Sequence, residues 1–202
     1  MQSHHHFKVP SYFTKRWVVF SIALTLVLLL YLFKDASTII RVGSAFAFIL
    51  AFYLADHLFD LRFSLLHYFF ILFMAVTAFL LSPLYYIYPN YDKIQHFLLP
   101  LLYASIVFWI VRRTNSPRWM QLTFTFFIVV GTLAIFEVGE FLLDQLFNLQ
   151  LQGVFLRNLQ GFVKYKIIQD RNTDTMIDIS LGILGSLLYV VIHAYKKRIG
   201  KF

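Results

Sequence analysis

"DRNTDTMIDISLGILGSLLYVVIHAY", residues 170–195, sets Asp170, Asp174 and Asp178 four residues apart immediately before an apolar run. The run reads as a membrane-spanning helix, because about 20 mostly apolar residues are needed to cross a hydrocarbon core roughly 30 Å thick. The same pattern recurs along the chain, where stretches 17–33, 39–56, 63–83, 94–111, 119–146 and 175–195 qualify or nearly do. Composition agrees: of 202 residues, 59% are hydrophobic and only 14% charged, which is too apolar for a soluble domain. The stretches lack the period-2 alternation of a barrel strand, and a backbone in lipid must satisfy its own hydrogen bonds. The sequence therefore predicts an all-α polytopic membrane helix bundle of about six transmembrane helices, a single integral membrane domain over 1–202.

The flanking residues orient that bundle. Lys15 and Arg16 precede "WVVFSIALTLVLLLYLF" in the manner of a signal peptide, but no small-residue cleavage pattern follows, so the first stretch is read as a membrane helix. The histidine run at 4–6 reads as an exposed tail. No cysteine is present, which excludes disulfides, thiolate nucleophiles and cysteine-based zinc sites. The net charge of +8 is a matter of distribution rather than of affinity for nucleic acid, and no nucleic-acid partner is expected. Placing the N-terminus inside puts eleven of the eighteen Lys and Arg residues in the cytoplasm and seven outside. Both termini are thus predicted to be cytoplasmic (N-in/C-in), in a cell membrane read as the bacterial cytoplasmic membrane, with membrane lipids as partners.

Most connections are short, so successive helices are expected to be antiparallel neighbours. The exception is 147–173, "FNLQLQGVFLRNLQGFVKYKIIQDRNT". It is too polar to span and too apolar for a free tether, and it reads either as an interfacial or re-entrant amphipathic segment or as an ordinary loop.

The chain has only ten acids. Asp92 opens the fourth span in "YDKIQHF", four residues before His96. Glu137 and Glu140 lie toward the end of the fifth span in "IFEVGEFLLD", followed by Asp144, and Asp174 and Asp178 open the sixth. Alternating span direction brings these three helix ends to one side of the membrane, whichever side that is. Side chains three or four residues apart share a helix face, and ionisable groups in a membrane normally face a cavity or one another. Several clustered carboxylates need a positive partner. A divalent metal is one candidate, and an oxygen-rich set with one imidazole suits Mg, Mn, Fe or Zn without selecting among them. Protons held in a relay are a second. Ion pairing with Arg41, Lys93 or Arg171, together with capping of helix N-termini by Asp92 or Asp174, is the third.

Other chemistry finds less support. Asp170, Asp174 and Asp178 echo the tail of the CDP-alcohol phosphotransferase motif, but its preceding Asp-Gly and Ala-Arg elements are missing. No Ser-His-Asp order, phosphate-binding Gly loop or zincin motif is visible. Asp56, His57 and Asp60 near Arg62, with His67 and His193 toward the same side, read as pairing and capping at the cytoplasmic edge. Tyr85, Tyr86, Tyr88 and Tyr91 are explained by an aromatic belt.

"YDKIQHF", "FEVGEF" and "DTMID" resemble the Asp-x-x-x-His-Phe, Glu-x-x-Glu-aromatic and Asp-Thr-x-x-Asp signatures of the YjdF-like family of bacterial inner-membrane proteins, over roughly residues 91–187. "DKIQHF" and the late acidic helix are more loosely similar to VanZ-like proteins. The chain departs from the YjdF-like pattern before Asp170, where the family has a shorter Gly-Gln-Gly-Asp approach. The resemblance implies a multi-pass membrane protein with a polar intramembrane site. The acids themselves lead to the expectation of a metal-dependent lipid-directed hydrolase or transferase at the extracytoplasmic face. In that scheme Glu137, Glu140, Asp174 and Asp178 hold a metal, with Asp92 and His96 as further ligands or as acid and base. Arg157, Lys164 and Lys166 steer an anionic headgroup. A proton- or ion-coupled transporter and a structural membrane protein are the alternatives.

Overall fold

The computed structural model describes residues 11–32, 36–147, 151–157 and 164–199. The histidine run at 4–6 falls outside them. The described chain is dominated by helices: α1 (Tyr12–Leu32), α2 (Ala36–Leu58), α3 (Leu65–Ala75) continuing as a π-helical turn over Val76–Leu80, α4 (Leu84–Ile87), α5 (Asn90–Val111), α6 (Arg118–Phe147) and α7 (Arg171–Ile199). Four stretches among the described residues, Arg41–Leu58, Asn90–Val111, Arg118–Leu146 and Arg171–Tyr195, are long and apolar enough to cross a membrane, and Leu65–Leu80 is a shorter apolar helix. Their outward faces carry Phe127, Ile135, Phe136, Leu142 and Leu184, all exposed. Apolar surface of that extent needs lipid rather than water around it. The chain is an all-α membrane protein.

The chain divides into two compact units, Met1–Ser82 and Pro83–Phe202. In the first, α1 packs on α2 around a fully buried ion pair, with Lys15 Nζ 2.5 Å from Asp56 Oδ2. The remaining valence of Asp56 is filled by the Phe63 N–H (3.1 Å to Oδ1) and the Tyr68 hydroxyl (2.7 Å to Oδ2), while the Tyr12 hydroxyl donates to its backbone carbonyl at 2.8 Å. A buried charge is tolerable only when paired and hydrogen-bonded in this way. Asp60 and Arg62 both have positive φ, 48° and 52°, and their side chains pair at 2.8 Å on the surface. The acidic cluster at Asp56 to Arg62 is therefore a turn anchored to α1 through Lys15.

In the second unit, α7 packs most extensively on α5 and next on α6. Glycines allow the approach: a Cβ on Gly185 would stand 2.2 Å from the Phe97 carbonyl oxygen, and one on Gly182 2.0 Å from Leu133 Cδ2 and 3.5 Å from the His96 carbonyl oxygen. Pro100, buried inside α5, lacks the N–H that would bond the His96 carbonyl four residues back. At that weakened step of α5, α7 presents backbone rather than side chain. Ala104, Val107, Phe108, Val111, Leu122, Val129 and Tyr189 form a buried cluster toward the other end of the unit.

The connection read as an interfacial or re-entrant segment or an ordinary loop carries two short strands, β1 (Val154–Arg157) paired antiparallel with β2 (Lys164–Gln169). The run "KYKIIQ" alternates in the first positions and is rich in residues with β preference, so a two-stranded ribbon competes well with a short helix there.

Candidate functional site

Three helices of the second unit converge at one end. Pro89, at φ −56°, leads into α5, and Asp92 falls in the first turn with His96 one turn on. Asp174 and Asp178 occupy successive turns of α7, and Glu137 and Glu140 lie on α6. Asp92, Glu137, Asp174 and Asp178 are all buried, at 3–5% exposure. Glu140 is half-buried and within electrostatic reach of Glu137, His96, Asp92 and Asp178.

Lys93 organises the aspartates. Its ammonium lies 3.1 Å from Asp92 Oδ2, 2.5 Å from Asp174 Oδ1 and 2.8 Å from Asp178 Oδ1. A lysine ammonium has three donors, and three carboxylates use them. Both oxygens of Asp174 are then engaged, because its Oδ2 accepts the Gly153 N–H at 2.8 Å. Gly153 has φ 87°, a conformation glycine adopts without strain, and that turn aims its N–H at the site.

The second oxygens of Asp92 and Asp178 face His96 instead. His96 Nε2 is 3.3 Å from Asp92 Oδ1 and 4.0 Å from Asp178 Oδ2, while Nδ1 is 3.7 Å from Glu137 Oε1. Ligand atoms of Asp92, His96 and Asp178 all lie within 4.8 Å of one another, a spacing that could hold a metal ion. His96 Nδ1 and Glu137 Oε1 are buried, and neither has a hydrogen-bond partner. Buried polar atoms are nearly always bonded, and these two face each other across 3.7 Å. The acidic end thus separates into a closed half around Lys93 and an unsatisfied half around His96.

Neighbouring acids have other tasks. Asp144, which shares the Glu137 and Glu140 stripe by spacing, accepts the backbone N–H groups of Leu151 (2.6 Å) and Gln152 (3.1 Å) and so ties the following connection to α6. The side chain of Gln152 reaches Thr175 Oγ1 at 3.1 Å. Asp170 caps α7, taking the Thr173 N–H at 3.0 Å and its hydroxyl at 2.6 Å. Those bonds, the hydroxyl first, hold its carboxyl below the ordinary range. Tyr85 lies beside the acids: burial above all, then the charges of Asp92, Asp174, Glu140 and Asp178, pushes its phenol up, so it remains a hydrogen-bond donor.

Asp92, His96 and Asp178 stand together as potential ligands, whereas Asp174 serves Lys93 and the backbone of Gly153. Arg157 and Lys164 face each other in the hairpin register and Lys166 pairs with Leu156, but their side chains lie outside the described residues. Lys93 appears in the sequence only as one of three counter-charges. The Gly153 amide carries no sequence signal, since it meets Asp174 from 21 residues away. His67 and His193 are occupied locally, the first with Ser64 at 2.8 Å and the second stacked on Tyr189 at 4.0 Å between ring centroids.

A family model described as predicted membrane protein, DUF2238, matches residues 15–198. The chain belongs to this family. No curated protein and no solved structure matches the chain. The DUF2238 match takes in all three acidic motifs and every helix that contributes to the site.

Proposed function

We propose that the acidic end of the second unit is a divalent-cation site for metal-dependent chemistry on lipid-phosphate headgroups, with Asp92, His96 and Asp178 as ligands. The observation that carries this reading is the close grouping of their ligand atoms beside the unpartnered pair of His96 Nδ1 and Glu137 Oε1. A histidine that binds metal through one nitrogen generally donates the other N–H to a carboxylate, and Glu137 is in place for that role. Lys93 leaves one oxygen of Asp92 and one of Asp178 available while fixing both side chains. The oxygen-rich donor set with one imidazole suits Mg, Mn, Fe or Zn. A cation held there supplies Lewis acidity toward a phosphoryl oxygen or generates a bound hydroxide. Asp92 and Asp178 lie within the first turns of α5 and α7, roughly 3 to 10 Å along the axis from their starts, a depth a lipid phosphate can approach. The family is read as YjdF-like and the site as extracytoplasmic in a bacterial cytoplasmic membrane, on the basis of the motifs and the Lys and Arg count. Glu140 and the hairpin bases Arg157, Lys164 and Lys166 are assigned to a supporting electrostatic role.

The test is the metal content of detergent-purified protein with the N-terminal histidines removed, before and after incubation with each candidate ion. One equivalent in the wild type, lost in folded His96→Gln and Asp178→Asn variants, is the expected result, followed by assay of lipid phosphates. No metal in any sample, or equal metal in wild type and variants, overturns the reading.

A proton relay is the second reading, favoured by His96 standing between Asp92 and Glu137. It expects no metal, and a carboxyl infrared band that titrates in the wild type and disappears in Glu137→Gln.

A further inference from the structure

The opposite end of the second unit has an inverse charge pattern. Between His96 and Glu137, and again after Asp178, the sequence contains no Asp or Glu. In that acid-free region Arg112 and Arg113 follow α5, Arg118 opens α6, and α7 carries Lys196, Lys197 and Arg198 near its end. The arginines are spread over aromatic rings: Arg112 lies 3.7 Å and Arg113 5.7 Å from the Trp109 ring centroid, and Arg118 4.3 Å from that of Phe108. The Nε of Arg118 is buried and has no hydrogen-bond partner. Beside it opens a groove lined by Pro117, Arg118, Trp119, Leu122 and Ala194. Trp119 at its edge is 65% exposed.

We propose that this groove binds the headgroup of an anionic phospholipid, with Arg118 and Arg112 holding the phosphate and Trp119 and Leu122 receiving the glycerol and upper acyl region. Charge complementarity selects an anion, because the sequence places no Asp or Glu at this end of α5, α6 and α7 and the buried Nε of Arg118 has no hydrogen-bond partner. Burial, then the like charge of Arg113, with Arg118 adding to it and Tyr189 opposing, holds the Arg112 guanidinium below its ordinary value. Crowded cations of this kind are relieved by a bound anion. A lipid rather than a free phosphate is selected by the groove wall, which is mostly apolar and lies at the end of membrane-length helices, where tryptophan and basic clusters meet headgroups. The positive-inside distribution assigns this end to the cytoplasmic leaflet, which is rich in anionic lipid.

The experiment is thermal unfolding of the full chain in neutral detergent, titrated with phosphatidylglycerol, phosphatidylcholine or inorganic phosphate. Saturable stabilisation by phosphatidylglycerol alone is expected, with apparent affinity weakened about fivefold by Arg118→Gln and again by Arg112→Gln. Arg118→Lys keeps the charge and is expected to retain most of the binding, which separates loss of charge from loss of packing on Phe108. Should Arg118→Gln fail to fold, the exposed Arg112 gives the same readout. Equal stabilisation by phosphatidylcholine, an unchanged affinity in the glutamine variants, or saturation by inorganic phosphate at the same concentration each overturns the proposal.

Discussion

Lys93 is the residue on which the acidic site depends, since one ammonium engages three carboxylates carried by two helices. Removing one partner of a buried ion pair leaves uncompensated charge and costs about 3–5 kcal/mol. Lys93→Met is accordingly expected to lower unfolding stability by that order in denaturant titrations in detergent, with Lys93→Met, Asp174→Asn recovering part of the loss. No recovery in the double variant is the outcome that removes the ion pair from the account. The acids themselves were legible, because four-residue spacing at three converging helix ends leaves few arrangements. The central place of Lys93 was not. Lys93 reads only as one of three counter-charges, with Arg41 and Arg171, because adjacent residues on a helix point in different directions and spacing alone does not aim it at the acids. Its long flexible stem nevertheless carries the ammonium back to Asp92 and across to α7.

At the scale of elements, the register of α7 against α5 decides whether Asp178 meets His96. Gly185 sets the closest approach, where an added Cβ would collide with backbone that cannot swing aside. Gly185→Ala is expected to cost about 1–3 kcal/mol or more and, on the proposed reading of the acidic site, to weaken metal binding, whereas Gly131→Ala meets nothing within 4 Å and gains up to about 1 kcal/mol from helix propensity. Paired melting curves check both signs. The start of α7 gives a pH prediction. Asp170 has a lowered folded value, so the cap stabilises the helix above the ordinary value of about 3.9 and loses that contribution as pH falls through the lower one. Amide protection at 171–174 is expected to drop through that window, and Asp170→Asn, still a competent cap, is expected to flatten the drop. The helices were readable from apolar runs alone. The paired strands Val154–Arg157 and Lys164–Gln169 were not, because short segments of mixed polarity fit a strand or a helix turn equally well until a partner strand is present.

Taken as a whole, the second unit is polarised along its helices, with Asp92, Glu137, Asp174 and Asp178 grouped at one end and Arg112, Arg113 and Arg118 placed at the other. The segregation fits the membrane itself. Basic residues are retained on the cytoplasmic side during insertion, and acids too costly for the hydrocarbon collect where Lys93 and His96 can answer them. The proposed orientation puts the arginine end in the cytoplasm, and the chain is suited to testing it because it contains no cysteine. Asn115, in the exposed turn after α5, and Asn172, exposed at the start of α7, stand at opposite ends of the unit. A single cysteine at position 172 is expected to react with a membrane-impermeant maleimide in intact cells, and one at position 115 only after permeabilisation. Labelling in the reverse order would place the acidic site in the cytoplasm and the arginine groove outside. That outcome would remove the anionic-leaflet argument for the groove while leaving the geometry of the acidic site intact. Equal labelling at both positions in intact cells would mean that α6, which joins them, does not separate two compartments, and the membrane-depth argument for the acidic cluster would fail with it.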